Sequence, residues 1–271
     1  MTIAAAYLTS EGVVFGADSA TTVLVPGQGG VVQLLNHAQK IFEVGAQGTG
    51  RIAVCTWGIG SLGGTSHRTV VARLADQIDP ASTPVEDAAK KLVEIVQPLI
   101  SQVPADQFVG YFVGGFDPGT HNPVCVELGL APNRPPAISK MPVGQAKFSG
   151  APHIFVRVFR GYDPSLPDSL KQLLKQRVSG LPADFDEHFD RAFGDVSTSL
   201  VSAGSADMPI REAIDYIHAY VRMTVKVFKF RFGPPVCGGP VEVGFITTDR
   251  PFRWVRHKPF AAAIIEQDPD L

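Results

Sequence analysis

A chain of 271 residues with 45% hydrophobic content can bury a substantial core, most simply as one domain over residues 1–271. A formal net charge of −2 excludes the basic footprint of a nucleic-acid binder. No apolar stretch reaches 18 residues and no basic leader precedes one, so neither a membrane partner nor a signal peptide is expected, and a cytoplasmic location is.

In chain order, the first two predicted elements are strands. Thr2-Ile3-Ala4-Ala5-Ala6-Tyr7-Leu8 and Val13-Val14-Phe15-Gly16-Ala17-Asp18-Ser19 are joined by the turn signal Ser10-Glu11-Gly12, which predicts a β-hairpin. If Thr9 pairs with Gly12 or Val13, Thr2 falls opposite Ser19 or Ala20, and register alone brings Asp18 next to Thr2. A Gly/Gln-rich loop follows at Pro26–Gly30. Strands are expected at 40–44 and 51–57, then a Gly-rich turn, Trp57-Gly58-Ile59-Gly60-Ser61, handing over to a helix near 64–79 with Val71, Leu74 and Ile78 on one face. Thr83-Pro84-Val85-Glu86 reads as a capping box before the stripe Val85, Ala89, Leu92, Val93, Val96 and Leu99. Strands at 107–116 and 122–131 flank Asp117-Pro118-Gly119-Thr120.

The segment 162–206 reads as a helical insertion, with amphipathic helices over 168–178 and 182–201. A later helix is expected with Asp207 as its cap, Ile210, Ile214, Ile217 and Val221 on one face, and Gly233-Pro234-Pro235 as its stop. Strands at about 240–247 and 252–257 close the order. Strands, helices, strands, helices and strands in that sequence suit an α+β chain with two antiparallel sheets between helical layers.

Chemistry concentrates at the start. With Met1 removed, Thr2 carries a free α-amine beside its own hydroxyl, a nucleophile and base in one residue. Such an amine titrates at about 7.7–8.0 and is poised for proton transfer near neutrality. A neighbouring lysine disfavours its protonation and stabilises a developing alkoxide. Lys40, opening Lys40-Ile41-Phe42-Glu43-Val44, is the candidate lysine, and Asp18 its counter-charge. The glycines of the Gly58–Ser61 turn let backbone N–H groups approach a substrate as an oxyanion hole.

These residues resemble a proteasome-type (β-subunit or HslV-like) peptidase of the N-terminal-nucleophile hydrolase superfamily. The likeness rests on Thr2, Gly16-Ala17-Asp18-Ser19, Lys40-Ile41, Gly58-Ile59-Gly60-Ser61, Phe148-Ser149-Gly150, and Cys237-Gly238-Gly239-Pro240 before Val241–Ile246. It implies a four-layer αββα sandwich and peptide-bond cleavage through an acyl-enzyme on Thr2, with Asp18 and Lys40 as the supporting pair. Ser149 would bond near the amine and help hold a proton-shuttling water. Thr22 would lie along the substrate backbone, and Gly58 or Gly60 would offer the oxyanion N–H. The chain departs from the family at Ala20, where Arg is usual, at Pro234, where Asp is usual, and at Cys237, where Ser is usual. The segment Val23–Gln39 is also longer than the family's gap.

The resemblance further implies removal of Met1 without a propeptide, no cofactor, no metal, a peptide or unfolded-protein substrate, and a homo-oligomeric ring or related multimer. An ATP-dependent unfoldase partner follows by analogy alone. Two other functions remain open: a catalytically inactive scaffold or ring subunit, and a small-molecule amidase of the same superfamily.

Other motifs carry less. Gly58-x-Gly60-x-x-Gly63 matches a dinucleotide fingerprint, but the helical pattern at 70–78 leaves no room for its second strand. No Gly-x-Ser-x-Gly elbow is present. Asp184, Asp186, Glu187, His188 and Asp190 read as a solvated helix face rather than a metal site. Cys55, Cys125 and Cys237 lack metal spacing and read as reduced, buried thiols.

Overall fold

The chain opens with a strand buried along its whole length. In the computed structural model, which describes residues 2–24, 31–163, 165–198, 204–232 and 236–258, β1 (Ile3–Thr9) turns back into β2 (Gly12–Ala17). Thr9 pairs with Gly12 and Ala4 with Ala17, the first of the two expected registers. Strand alternation sorts the side chains. Ala4, Ala6 and Leu8 enter one apolar cluster, while Ile3, Ala5 and Tyr7 enter another.

Next come β3 (Thr21–Leu24) and β4 (Val31–Leu35), a hairpin of its own. The Gly/Gln-rich loop between them lies outside the described residues. Then β5 (Ile41–Val44) and β6 (Ile52–Gly58) fall where expected. The glycine turn does not hand over to a helix. It leads into a small hairpin, β7 (Ser61–Leu62) and β8 (Thr65–Ser66), and α1 (His67–Gln77) begins only after it. Ser66 caps α1 by accepting the Thr69 N–H, so the helix starts where a capping side chain is available.

α2 (Val85–Ile100) buries Val85, Ala89, Leu92, Val93 and Val96 as its stripe predicts. Its capping box does not form. The Thr83 N–H closes a turn onto Asp79 O, Pro84 takes the N-cap position, and the Val85 N–H is satisfied by Asp117 Oδ1 at 2.9 Å. β9 (Val109–Phe116) and β10 (Pro123–Leu130) agree with the sequence. β11 (Ala137–Lys140), β12 (Gln145–Gly150) and α3 (His153–Arg160) complete the middle of the chain.

The insertion holds α4 (Leu166–Arg177) and α5 (Phe185–Thr198). Its acidic cluster is spent on ion pairs, Lys175–Asp186, Lys171–Asp190 and Arg191–Glu187 among them. α6 (Ile210–Phe230) follows. Asp207 is not its cap, because the Asp207 N–H turns back to Ser205 Oγ and the Ile210 N–H goes to Glu11 Oε2 at 2.8 Å. The helix ends at Phe230, and the expected Gly-Pro-Pro stop lies outside the described residues. β13 (Glu242–Thr247) and β14 (Arg250–Arg256) end the series.

Among the described residues, six helices accompany two five-stranded antiparallel sheets, ordered β12-β1-β2-β13-β14 and β11-β10-β9-β6-β5. Three apolar clusters alternate with them. One joins α1 and α2 to the β9 sheet, one is filled by both sheets, and one joins α3 and α6 to the β1 sheet. This mixed α+β arrangement is compatible with a sandwich of two sheets between helices. Among the described residues, no helix is long and apolar enough to cross a membrane.

Candidate functional site

Asp18 follows β2 directly and is fully buried. Its carboxylate accepts four hydrogen bonds. Oδ1 takes the Ile3 N–H at 3.1 Å and Lys40 Nζ at 2.6 Å, while Oδ2 takes the Ala20 N–H at 3.1 Å and the Gly238 N–H at 2.9 Å. Lys40, just before β5 on the facing sheet, is 5% exposed. The pair therefore bridges the two sheets at the end where the chain begins. Burial makes such a pair costly to form and costlier to half-remove.

Thr2 is tied to this pair through its own peptide, since the oxygen that holds Lys40 also holds the Ile3 N–H. Thr2 is 4% exposed. Beside it, β12 pairs with β1, setting Ile3 opposite Gly150 and Ala4 opposite Ser149. Gly150 has φ +87°, and a Cβ there would run into Thr2 O, so only glycine lets this strand end lie against the nucleophile candidate. Ser149 Oγ donates to Glu127 Oε1 at 2.9 Å, and Lys147 holds the other oxygen at 2.7 Å.

The glycine turn closes the same end. Gly58 has φ +93° and no room for a Cβ against Phe108 O. Trp57, just before it, packs on Gly150. Gly60 lies against Thr21 of β3, next to Thr22, whose Oγ1 is buried without a partner among the described residues. His67 holds the turn from α1: Nε2 is 2.8 Å from Ile59 O and Nδ1 is 3.1 Å from the Tyr111 hydroxyl. The neutral ring that donates from Nε2 and accepts at Nδ1 satisfies both contacts. Burial lowers the His67 pKa from its ordinary value and so favours that neutral form.

Asp18 and Lys40 thus pair beside the Thr2–Ile3 peptide at one end of the two sheets, while Ser149, opposite Ala4, bonds to Glu127, and Gly58 adjoins through Trp57. Gly60 and Thr22 flank that turn. Of the departures from the family, Ala20 is buried and uses its N–H on Asp18, and Pro234 lies outside the described residues. Cys237 is buried, and burial, then the Asp18 carboxylate, push its thiol up to about 12, which keeps it neutral and unreactive near pH 7. Burial likewise raises Cys55 and Cys125.

Several contacts escaped the sequence reading. Gly238 donates to Asp18, and Ser19 Oγ donates to Pro240 O at 2.6 Å, so the Cys237–Pro240 turn clamps the segment after β2. Glu242, fully buried, lies 3.5 Å from the Lys40 N–H. His257 Nδ1 at 2.9 Å and Lys258 Nζ at 3.2 Å from Oε1 sit at ion-pairing distance, at angles that close no hydrogen bond. Burial lowers the Lys258 pKa and Glu242 opposes that effect. The signal for Glu242 was a carboxylate within the otherwise apolar run Val241–Ile246. Glu127 had its own signal, a charge in the buried strand β10. Among the described residues, no group of three or more His, Cys, Asp or Glu is placed to hold a metal ion.

No protein-family model matches this chain, and no curated protein matches it.

Proposed function

We propose that this chain is an N-terminal threonine hydrolase of the Ntn type, with the four-layer αββα fold of that superfamily, cleaving amide bonds in peptides. One observation carries the reading: a buried Lys40–Asp18 pair whose shared oxygen also binds the peptide that follows Thr2. Burying an ion pair is a poor way to stabilise a fold. Placed beside a hydroxyl and a prospective α-amine, it has a chemical use, because Lys40 supplies positive charge where an alkoxide would develop.

In the proposed reaction the Thr2 hydroxyl adds to the scissile carbonyl carbon while the α-amine takes its proton. The C–N bond then breaks, and that proton leaves on the departing amine. Water, activated by the same amine, hydrolyses the acyl-enzyme and frees Thr2. Ser149, oriented by Glu127, steadies that water, and backbone N–H groups at the Gly58–Gly60 turn stabilise the oxyanion. Thr22 contacts the substrate backbone, the chain works in the cytoplasm, and it assembles as a homo-oligomer, which a monomeric mass by light scattering would contradict.

The deciding test is intact mass before and after a peptidyl epoxyketone, which closes its ring adduct only on a free amine and hydroxyl of one residue. Loss of Met1 and one adduct per chain are expected in the wild type, and Thr2→Ala should fold but give no adduct. Retained Met1, or no adduct on the processed chain, overturns the hydrolase reading.

A second reading, an inactive scaffold subunit, draws on two observations. Thr2 is only 4% exposed, and every Asp18 bond goes to a group that holds strand ends together. The same mass measurement separates the two.

A further inference from the structure

We propose that a cavity beside α6 binds a phosphorylated small molecule. It encloses about 600 Å³, within the range of sites for small ligands. One wall is the α6 stripe His218, Arg222, Lys226 and Lys229. Arg256, at the end of β14, faces it, and the Cys237–Val241 segment forms the floor. The four cations are exposed and, among the described residues, none takes part in an ion pair and no Asp or Glu lines the cavity.

Lys171, Lys175 and Arg191 each have a carboxylate, and exposed cations without one among the described residues, such as Arg73, Arg134 and Arg211, also occur elsewhere; what sets this site apart is that four of them line one cavity. Four like charges converging without a counter-charge repel one another, and a bound anion removes that cost. His218 shares the wall, with a buried Nε2 that has no hydrogen-bond partner among the described residues. Its protonation is disfavoured by burial first and then by Arg256 and Arg222, with Asp215 opposing.

Charge density selects phosphate over carboxylate. One phosphate monoester brings up to about two negative charges in a single group, so two such groups balance the four cations where carboxylates would need four. Arg222 and Arg256 supply the planar forks that bind phosphate oxygens in pairs. The floor includes Gly238, whose N–H holds Asp18, so the ligand would sit one hydrogen bond from the buried pair. The inference stands apart from the hydrolase reading and is tested by binding alone.

The experiment is calorimetric titration of the full chain with inorganic tripolyphosphate, with citrate as the carboxylate control. A parallel arm measures co-sedimentation with phosphatidylcholine vesicles carrying a phosphoinositide. Saturable tripolyphosphate binding is expected, at least about tenfold tighter than citrate and weakened at least about tenfold by the double variant Arg222→Glu/Lys226→Glu. Should that variant misfold, Lys229→Gln/Arg256→Gln gives the same reading at lower charge cost. Binding to the vesicles alone, with the same variant sensitivity, assigns the phosphate to a lipid headgroup; binding in solution assigns it to a free metabolite. Absence of saturable binding in both arms, citrate binding as tightly, or binding indifferent to both variants overturns the proposal.

Discussion

Removing the Asp18 carboxylate strands the Lys40 ammonium in a buried site where, among the described residues, it has no other partner, whereas removing Lys40 leaves a carboxylate still bound by three backbone N–H groups. The two halves of the pair should therefore differ. Asp18→Asn is expected to cost about 3–5 kcal/mol, and Lys40→Met about 1.5–3 kcal/mol, the worth of a hydrogen bond to a charged group. Urea unfolding of both variants checks this, and equal costs would show that the backbone donors do not hold Asp18. His67 gives a pH dependence of definite sign. Its folded pKa lies below the ordinary 6.5, so below about 6.5 the unfolded chain takes up a proton that the folded chain refuses. Stability is full above that pH and falls as the pH drops from 6.5 toward the folded value. His67→Gln should flatten this part of a stability–pH curve, with His153 and His218, also lowered by burial, leaving a residual slope. At this scale Thr2, Asp18 and Lys40 were legible because hairpin register and charges beside apolar runs are local signals. Glu127 and Glu242 carried the same kind of signal, but it could not show their roles, since the partners that give them meaning arrive from other parts of the chain.

Two helices start in the same way, and the sequence hid both starts. The Asp117 carboxylate, from the turn between β9 and β10, meets the first turn of α2, and the Glu11 carboxylate, from the turn between β1 and β2, meets that of α6. Each sheet thus caps the helix packed on it. The carboxylates satisfy N–H groups that have no partner within their helices and complement the positive end of the dipole. Asp117→Ala and Glu11→Ala should each cost about 0.5–2 kcal/mol in urea unfolding, while Thr83→Ala and Asp207→Ala should cost much less. The reverse order would restore the local caps. Here the stripes of α2 and α6 were readable from their period, but their caps were not, because side chains far along the chain outcompete the nearby Thr83 and Asp207. β11 and β12 were missed for another reason: β11 is exposed throughout and β12 largely unburied, so neither shows the alternation that marks a half-buried strand.

For the molecule as a whole, the question is which layers the fold needs. The three apolar clusters draw on both sheets and on α1, α2, α3 and α6, and among the described residues none includes a residue of α4 or α5. No side chain of α4 is buried; its ties to α5 include the half-buried Lys171, which pairs with Asp190 and lies over the Phe189 ring, and the exposed Lys175–Asp186 pair, surface contacts of little net worth. The anchors on the far side of the insertion lie beyond α5, where the Ser10 N–H meets Ala206 O and the Tyr7 hydroxyl accepts the Ser205 N–H. Replacing residues 165–198 by a short Gly-Ser linker keeps those anchors. The shortened chain should fold with a melting temperature within about 4 °C of the full chain, the shift that about 1 kcal/mol produces at this size. A matched control, Ile217→Ala in the α6 face that packs on β1, should cost about 2–5 kcal/mol. If the deletion costs as much as the control, the α4–α5 hairpin is part of the folding unit; if it costs little, the hairpin is an appended element carried by a sandwich that stands without it.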